Sequence, residues 1–86
     1  MSILKVSIRQ IKAARALLGW AQGDLAEKAG VSAPTVKRLE AADGEIGGRP
    51  ETGEALVAAL EKAGVEFISE NGGGAGVRLA RRSRKR

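Results

Sequence analysis

Residues 22–40 read Gln-Gly-Asp-Leu-Ala-Glu-Lys-Ala-Gly-Val-Ser-Ala-Pro-Thr-Val-Lys-Arg-Leu-Glu, and most of the architecture follows from this stretch. Its pattern predicts two short helices, over residues 22–29 and 33–41. Gly30 is suited to end the first helix, and Ser32 is suited to cap the start of the second. Two short helices joined by so tight a turn indicate a helix-turn-helix, whose second helix enters the major groove of DNA.

Helical periodicity continues on both sides of this motif. A first helix is predicted to begin after Ser7 and to end at Gly19, and a fourth is predicted over residues 51–63, after a glycine-rich loop at residues 43–50. The apolar positions recur at a spacing of three and four residues: Ile8, Ile11, Ala14 and Leu18 in the first helix, and Ala55, Leu56, Ala59, Leu60 and Ala63 in the fourth. Each helix therefore offers one face to a small shared core.

The remaining segments are short. Residues 65–68 (Val-Glu-Phe-Ile) and 77–79 (Val-Arg-Leu) are short, mostly apolar stretches on either side of a glycine turn, which predicts a β-hairpin. Residues 2–6 are a further candidate strand. A lone hairpin is marginal in water. We therefore expect this hairpin either to pack on the fourth helix of the same chain or to serve as a dimerisation element.

The predicted fold is mainly α, a small domain of four to five helices with a short C-terminal β-hairpin and a basic tail. The helical DNA-binding domain is expected over residues 1–64, with the helix-turn-helix at residues 22–41. The hairpin is expected within residues 65–80, and a disordered tail over residues 81–86.

The positive charge is confined to the end of the chain. The 86 residues include 15 Lys and Arg against 10 Asp and Glu, which gives a net charge of +5 at pH 7. Residues 1–80 hold equal numbers of basic and acidic side chains, so the whole excess lies in the tail, which carries Arg81, Arg82, Arg84, Lys85 and Arg86. Such a run either contacts the backbone of a nucleic acid or keeps the protein in solution.

The composition argues against an enzyme and against a membrane protein. With no Cys and no His, the chain lacks an imidazole base, a thiolate nucleophile and the usual zinc ligands, so we expect no metal and no cofactor. The absence of disulfides is compatible with a reducing cytoplasm. No stretch approaches the roughly 20 apolar residues of a transmembrane helix. The glycine run at residues 71–76 lacks the Lys-Ser/Thr of a nucleotide-binding loop and is interpreted as the hairpin turn.

The helix-turn-helix stretch resembles the Cro and lambda-repressor-like, or XRE, family of DNA-binding regulators. The shared pattern is a Gln that opens the second helix, then Leu-Ala, Gly-Val-Ser, a β-branched core residue and a closing Glu. The matching positions are Arg15, Gln22, Leu25, Ala26, Gly30, Val31, Ser32, Val36, Leu39 and Glu40. The resemblance covers residues 8–63, and it implies a lambda-repressor-like fold, double-stranded DNA as the partner and a bacterial cytoplasmic protein that associates with the nucleoid when bound.

The resemblance also implies roles for individual residues. Gln22, Ser32 and Thr35 lie at helix starts, where they are candidate phosphate contacts. Arg15 and Glu40 correspond to a partly buried ion pair that ties the first helix to the end of the third. We therefore interpret these two residues as structural and not as DNA contacts.

The groove-facing positions that the resemblance implies are Ala33, Pro34, Lys37 and Arg38. The side chains of Ala33 and Pro34 cannot donate hydrogen bonds, so they can only touch a thymine methyl or fit the groove wall. Base reading would then rest on Lys37 and Arg38, with guanine as the natural partner. The alternative is that both are solvated charges, or that Arg38 pairs with an acid such as Glu45.

The leading hypothesis is a sequence-specific transcriptional regulator that binds a two-fold symmetric operator as a homodimer, because one recognition helix covers only a few base pairs. The alternative is a protein-interaction module of the same fold, an antiactivator or antitoxin-like partner whose DNA binding is secondary. The neutral body of residues 1–80 favours this alternative. A third hypothesis is that the tail binds RNA or DNA without sequence preference.

Overall fold

Within residues 6–70 and 72–80, which the computed structural model describes, four α-helices precede a two-stranded antiparallel sheet. The elements are α1 (Ile8–Leu18), α2 (Gln22–Ala29), α3 (Ala33–Ala41), α4 (Pro50–Lys62), β1 (Val65–Ile68) and β2 (Gly76–Leu79). The prediction of a mainly helical domain with a short hairpin is confirmed. The candidate strand at residues 2–6, apart from Val6, and the tail lie outside the described residues. No helix in the described part has the length and apolar composition needed to cross a bilayer.

Side-chain caps fix where α1 and α3 begin. The Ser7 hydroxyl accepts a hydrogen bond from the Gln10 backbone N–H at 3.2 Å, and the Gln10 side-chain oxygen accepts one from the Ser7 N–H at 2.9 Å, which forms a reciprocal capping box. Ser32 caps α3 by accepting a hydrogen bond from the Thr35 N–H at 3.2 Å. Pro50, with its fixed φ, occupies the first position of α4, so this helix begins one residue before the predicted start.

Two glycines in the left-handed region end α1 and α2. Gly19 has a φ of 71° and Gly30 a φ of 75°, a conformation that other residues adopt only with strain. In the second turn, the Val31 N–H then reaches back to the Ala26 carbonyl at 3.0 Å. This sharp turn places α3 directly after α2 and sets up the helix-turn-helix.

All four helices contribute to one core, which β1 extends. The buried apolar side chains are Val6, Ile8, Ile11, Ala14, Leu25, Ala26, Val36, Leu39, Leu56, Val57, Leu60 and Val65. The prediction that Ala63 faces the core is wrong, because α4 ends at Lys62 and Ala63 is exposed beyond it. Val57, which the predicted stripe left out, is buried instead.

The hairpin packs on the helices of its own chain. Val65 pairs with Leu79 and Phe67 with Val77; Val65 is buried, and Phe67 and Val77 pack against the core. Gln10, only 5% exposed, donates from its side-chain amide to the carbonyl oxygens of Ile68 at 3.2 Å and Gly76 at 2.9 Å. The same amide group therefore caps α1 and holds the end of the hairpin. The sequence left open whether the hairpin packs on its own chain or on a partner. In the structure, its apolar face packs on the core of its own chain.

Replacing Gly30 by Ala should lower the free energy of unfolding by about 1–2 kcal/mol, because a Cβ at positive φ is strained. No heavy atom lies within 4 Å of the position that this Cβ would take, so the loss would come from the backbone alone. Gly23→Ala is the matched control, since Gly23 lies inside α2 without a positive φ and its Cβ would also meet open space. The control should be neutral or stabilising by up to about 1 kcal/mol. Urea unfolding followed by circular dichroism measures the free energy of unfolding of both variants. Equal losses of stability for Gly30→Ala and Gly23→Ala would show that the positive φ of Gly30 is not the cause.

Candidate nucleic-acid interface

Helix α3 has one buried and one exposed side. The buried side is formed by Val36, Leu39 and Glu40. The exposed side carries Ala33, Pro34, Lys37 and Arg38. The structure thus brings all four residues predicted to face the groove onto one accessible surface of one helix, with Lys37 four residues after Ala33 and Arg38 four residues after Pro34.

Lys37 and Arg38 are free to meet a ligand. None of the ion pairs within residues 6–70 and 72–80 involves either residue. The alternative pairing of Arg38 with Glu45 is not observed there, and the backbone of Glu45 instead forms an isolated β-bridge with Ser7. Two cationic side chains on an exposed helix face can serve either as solvated charges or as donors to base edges and phosphates.

The start of α3 holds two hydroxyls that are engaged with each other. The Ser32 Oγ and the Thr35 Oγ1 lie 2.8 Å apart, and Ser32 also accepts the Thr35 N–H. One of the two hydroxyl hydrogens is used in the contact between them, so one remains for an outside acceptor such as a phosphate. Both residues sit at the solvent edge of the turn, Ser32 exposed and Thr35 partly exposed.

A buried ion pair fixes α3 relative to α1. Arg15 donates from Nε to Glu40 Oε2 and from Nη2 to Glu40 Oε1, both at 2.8 Å, in the bidentate geometry that suits a guanidinium and a carboxylate. The exposed fraction of the side chain is 20% for Arg15 and 3% for Glu40. Arg15 also donates from Nη1 to the backbone oxygen of Trp20 at 2.8 Å, which ties the turn between α1 and α2 into the same group.

Gln22 joins this group through a contact that was not predicted from the sequence. Its Nε2 donates to Glu40 Oε1 at 2.9 Å, across 18 residues of sequence. One amide hydrogen of Gln22 is therefore committed to Glu40, and the second is left for a phosphate near the start of α2. Lys12 adds a longer contact of 3.4 Å from its Nζ to the Glu40 backbone oxygen. No local sequence signal links Gln22 to Glu40, since only the packing of α2 on α3 brings them together.

The surroundings of Glu40 keep it ionised. Burial by itself raises the pKa of this carboxyl, but the hydrogen bonds from Arg15 and Gln22 and the positive charges of Arg15 and Lys12 outweigh it. The pKa of Glu40 therefore lies below the ordinary glutamate value. A carboxylate that stays charged can accept from Arg15 and Gln22 at the same time.

The comparison with protein families agrees with this geometry. The Helix-turn-helix family model matches residues 11–62, which include α2, α3 and α4 and all of α1 after its first three residues. The chain belongs to the Cro/C1-type helix-turn-helix family. The resemblance inferred from residues 22–40 is thereby confirmed, and the protein is a DNA-binding regulator in the general sense of this family. A search of curated proteins found no match.

The helix-turn-helix protein has a second group of expected DNA contacts in its tail. Arg81, Arg82, Arg84, Lys85 and Arg86 lie outside the described residues. Their role follows from their charge alone and stays a prediction. Within the described part, the polar and cationic residues expected to touch DNA all belong to the stretch from Gln22 to Arg38.

Breaking the ion pair from either side should destabilise the protein. Arg15→Ala or Glu40→Ala should each lower the free energy of unfolding by about 3–5 kcal/mol, the range for removing one partner of a buried pair. Each single variant leaves the other partner unpaired, whereas the double variant leaves no unpaired charge, so the double variant should lose less than the sum of the two. The exposed pair Arg9–Asp43 provides the control cycle and should give a much smaller coupling. Additive losses at Arg15 and Glu40 would contradict a direct interaction.

Stability should fall in acid partly through Glu40. Because its pKa is lower in the folded protein than in the unfolded chain, the stabilisation is fully present above the unfolded value of about 4.3 and is lost as the pH falls through the folded pKa. The amide in Glu40→Gln cannot titrate, so this variant should show a weaker decline of stability below pH ~4.3. Glu66→Gln is the control. The hydrogen bond from Arg78 also lowers the pKa of this carboxyl, but the pair is exposed to solvent, so this variant should change the acid decline much less. Parallel pH profiles for the wild type and Glu40→Gln would exclude Glu40 as the titrating group.

Proposed function

We propose that this protein is a sequence-specific transcriptional regulator that binds a two-fold symmetric operator as a homodimer. The observation that carries the proposal is the exposed face of α3, which presents Lys37 and Arg38 without ion-pair partners in the described part of a helix-turn-helix domain. In this motif the second helix enters the major groove, where base edges can be read by hydrogen bonds.

The contacts divide into two kinds in this proposal. Lys37 and Arg38 reach base edges, with guanine as the preferred partner because its O6 and N7 are both acceptors. Gln22 contacts a phosphate with the amide hydrogen that is not bonded to Glu40, and the Ser32–Thr35 pair contacts one with the single hydroxyl hydrogen left after their mutual hydrogen bond. At the start of α2 the N-cap residue Ala21 has no side chain that could cap the helix, which leaves first-turn N–H groups for such a contact. The Asp24 carboxylate accepts the Ala21 N–H at 2.8 Å, so a phosphate would have to lie on the side of the turn away from this charge.

A homodimer would place two copies of α3 on one operator. One recognition helix covers a few base pairs, and two related by a two-fold axis read both half-sites of a palindrome. The apolar face of the hairpin packs within the chain, so a partner would meet what remains accessible, such as Leu79, which is 49% exposed. The basic residues 81–86 would add phosphate contacts without sequence preference.

The alternative, a protein-interaction module, is favoured by the charge of the body. Arg9 and Arg78 are paired with Asp43 and Glu66, and residues 1–80 are neutral, so the basic bias common in DNA-binding domains is absent there. Salt titrations with random duplex DNA separate the functions. If the body binds DNA, a chain ending at residue 80 should keep a salt-dependent affinity, with a slope reduced by about 0.9 for each phosphate contact of the tail. If the truncated chain is folded but binds no DNA, the interaction module is the better account.

The test of the proposed function is selection of binding sites from random duplex DNA with the full-length protein. The expected result is an enriched palindrome bound by two chains, as measured by sedimentation. Arg38→Ala, and to a lesser degree Lys37→Ala, should then reduce discrimination between operator and scrambled DNA by about 1–3 kcal/mol for each guanine that is no longer bound.

Lys62→Ala is the charge-matched control, because Lys62 lies at the end of α4 beside the hairpin. It should leave discrimination unchanged. If both α3 variants keep the wild-type preference for the operator, α3 does not read the bases.

A further inference from the structure

Helix α4 carries a row of acidic side chains on its exposed side, and the chain that continues into the basic tail passes the end of this helix. We propose that the tail, residues 81–86, binds to this acidic face of α4 in the same chain and is thereby withheld from DNA. The binding within the chain does not depend on the function of the protein, whereas its effect on DNA affinity rests on the proposed function.

The acidic face consists of exposed residues at helical spacing. Glu51, Glu54, Ala58 and Glu61 are all exposed and follow one another by three, four and three residues, which places them on one side of α4. The opposite side of the helix is buried in the core. Lys62 borders the acidic face, so three glutamates stand against one lysine, a net charge of −2. This face therefore attracts a positively charged segment.

The three glutamates of the acidic face have no ionic partner in the described part of the chain. The ion pairs among residues 6–70 and 72–80 involve other acids, namely Asp43, Glu40 and Glu66. Each of those acids is bound by an arginine at 2.8–2.9 Å. The carboxylates on α4 are accordingly available to cations from outside the described residues.

The end of β2 lies beside the end of α4. The backbone N–H of Ala80 donates to the carbonyl oxygen of Gly64 at 2.6 Å, and Gly64 lies two residues beyond the last residue of α4. The chain that follows Ala80 therefore starts next to the C-terminal end of α4, which is the negative end of the helix dipole. Glu61 is the member of the acidic face closest in sequence to this end.

The length of the tail matches the length of the acidic face. Glu51 and Glu61 are ten residues apart, which corresponds to about 15 Å along the axis of α4. Six extended residues reach about 20 Å. A tail that runs back along the helix can therefore bring its basic side chains to all three glutamates.

The acidic face and DNA would compete for the same basic side chains. An exposed ion pair is worth at most about fivefold in an equilibrium constant, and salt weakens it. Because the tail is attached beside α4, its effective concentration there is in roughly the millimolar range. Phosphates are the same in every sequence, so binding of the tail to α4 should lower the affinity for operator and random DNA by the same factor. The effect should be largest at low salt.

The first experiment contains no DNA and tests the binding of the tail to α4 alone. NMR shifts of the backbone amides are compared between the full-length wild type and a full-length tail variant, at about 20 mM and about 300 mM salt. The tail variant contains Arg81→Gln, Arg82→Gln, Arg84→Gln, Lys85→Gln and Arg86→Gln. We expect shift differences at residues 51–62 that are lost at high salt and do not depend on protein concentration. No difference in α4 would overturn the inference, as would a difference that grows with concentration, which indicates contact between copies.

The second experiment measures affinity for random duplex DNA in a double-mutant cycle. Glu54→Gln combined with Glu61→Gln should raise the affinity of the full-length protein by about three- to tenfold at low salt, because the tail is released. In the tail variant, the same two substitutions should change the affinity much less. The matched control is Glu27→Gln combined with Glu70→Gln, which removes the same charge from exposed positions on α2 and beyond the turn end of β1. The control should have equal effects with and without the basic tail.

The cycle separates binding of the tail from direct repulsion of DNA by the acidic face. Equal increases in affinity for the α4 substitutions in both backgrounds would show direct repulsion and would overturn the inference. Selection from random DNA that enriches no sequence would instead overturn the proposed function. The NMR comparison would then still decide whether the tail binds to α4.

Discussion

The carboxylate of Glu40 joins α1, α2 and α3, the three helices that position the candidate DNA surface. It lies near the end of α3, is almost fully buried, and accepts hydrogen bonds from Arg15 of α1 and Gln22 of α2. A buried charge is costly unless it is paired, so the three helices can exclude water from Glu40 only in the arrangement that brings both donors to it. This constraint fixes the angle at which α3 is presented.

The candidate DNA surface depends on the buried group formed by Arg15, Gln22 and Glu40. Ser32 and Gly30 set the start of α3 and the turn before it, while Glu40 anchors its end, so the four exposed residues between them have a defined orientation. Gln22 contributes both to the buried group and to the candidate DNA surface. One of its amide hydrogens is donated to Glu40, and the other is available for a phosphate at the start of α2. A change at the buried group would therefore alter both the stability of the fold and the geometry of a phosphate contact.

The net positive charge and the helices that form the candidate DNA surface lie in different parts of the chain. The helical body and the hairpin are neutral as a whole, and part of their basic charge is paired with acids on the surface. The excess positive charge lies in the last six residues, which we expect to supply most of the long-range attraction to a polyanion. A body with little net charge gains little from non-specific contacts, so specific binding would depend on the few side chains of α3 and on the number of half-sites engaged.

The helix-turn-helix was readable from the sequence because its signals are local. Gly30, Ser32 and Pro34 act within one turn of their own positions. Helical periodicity alone puts Lys37 and Arg38 on the side of α3 opposite the buried pair Val36 and Leu39. The bonds from Gln22 to Glu40 and from Gln10 to Ile68 and Gly76 join residues 18, 58 and 66 positions apart, and no local pattern specifies them. The same holds for the hairpin, whose apolar strands would suit a partner chain as well as α1 and α4. Its place on its own helices depends on the shape of the assembled core and on the amide of Gln10, which exist only once the helices have packed.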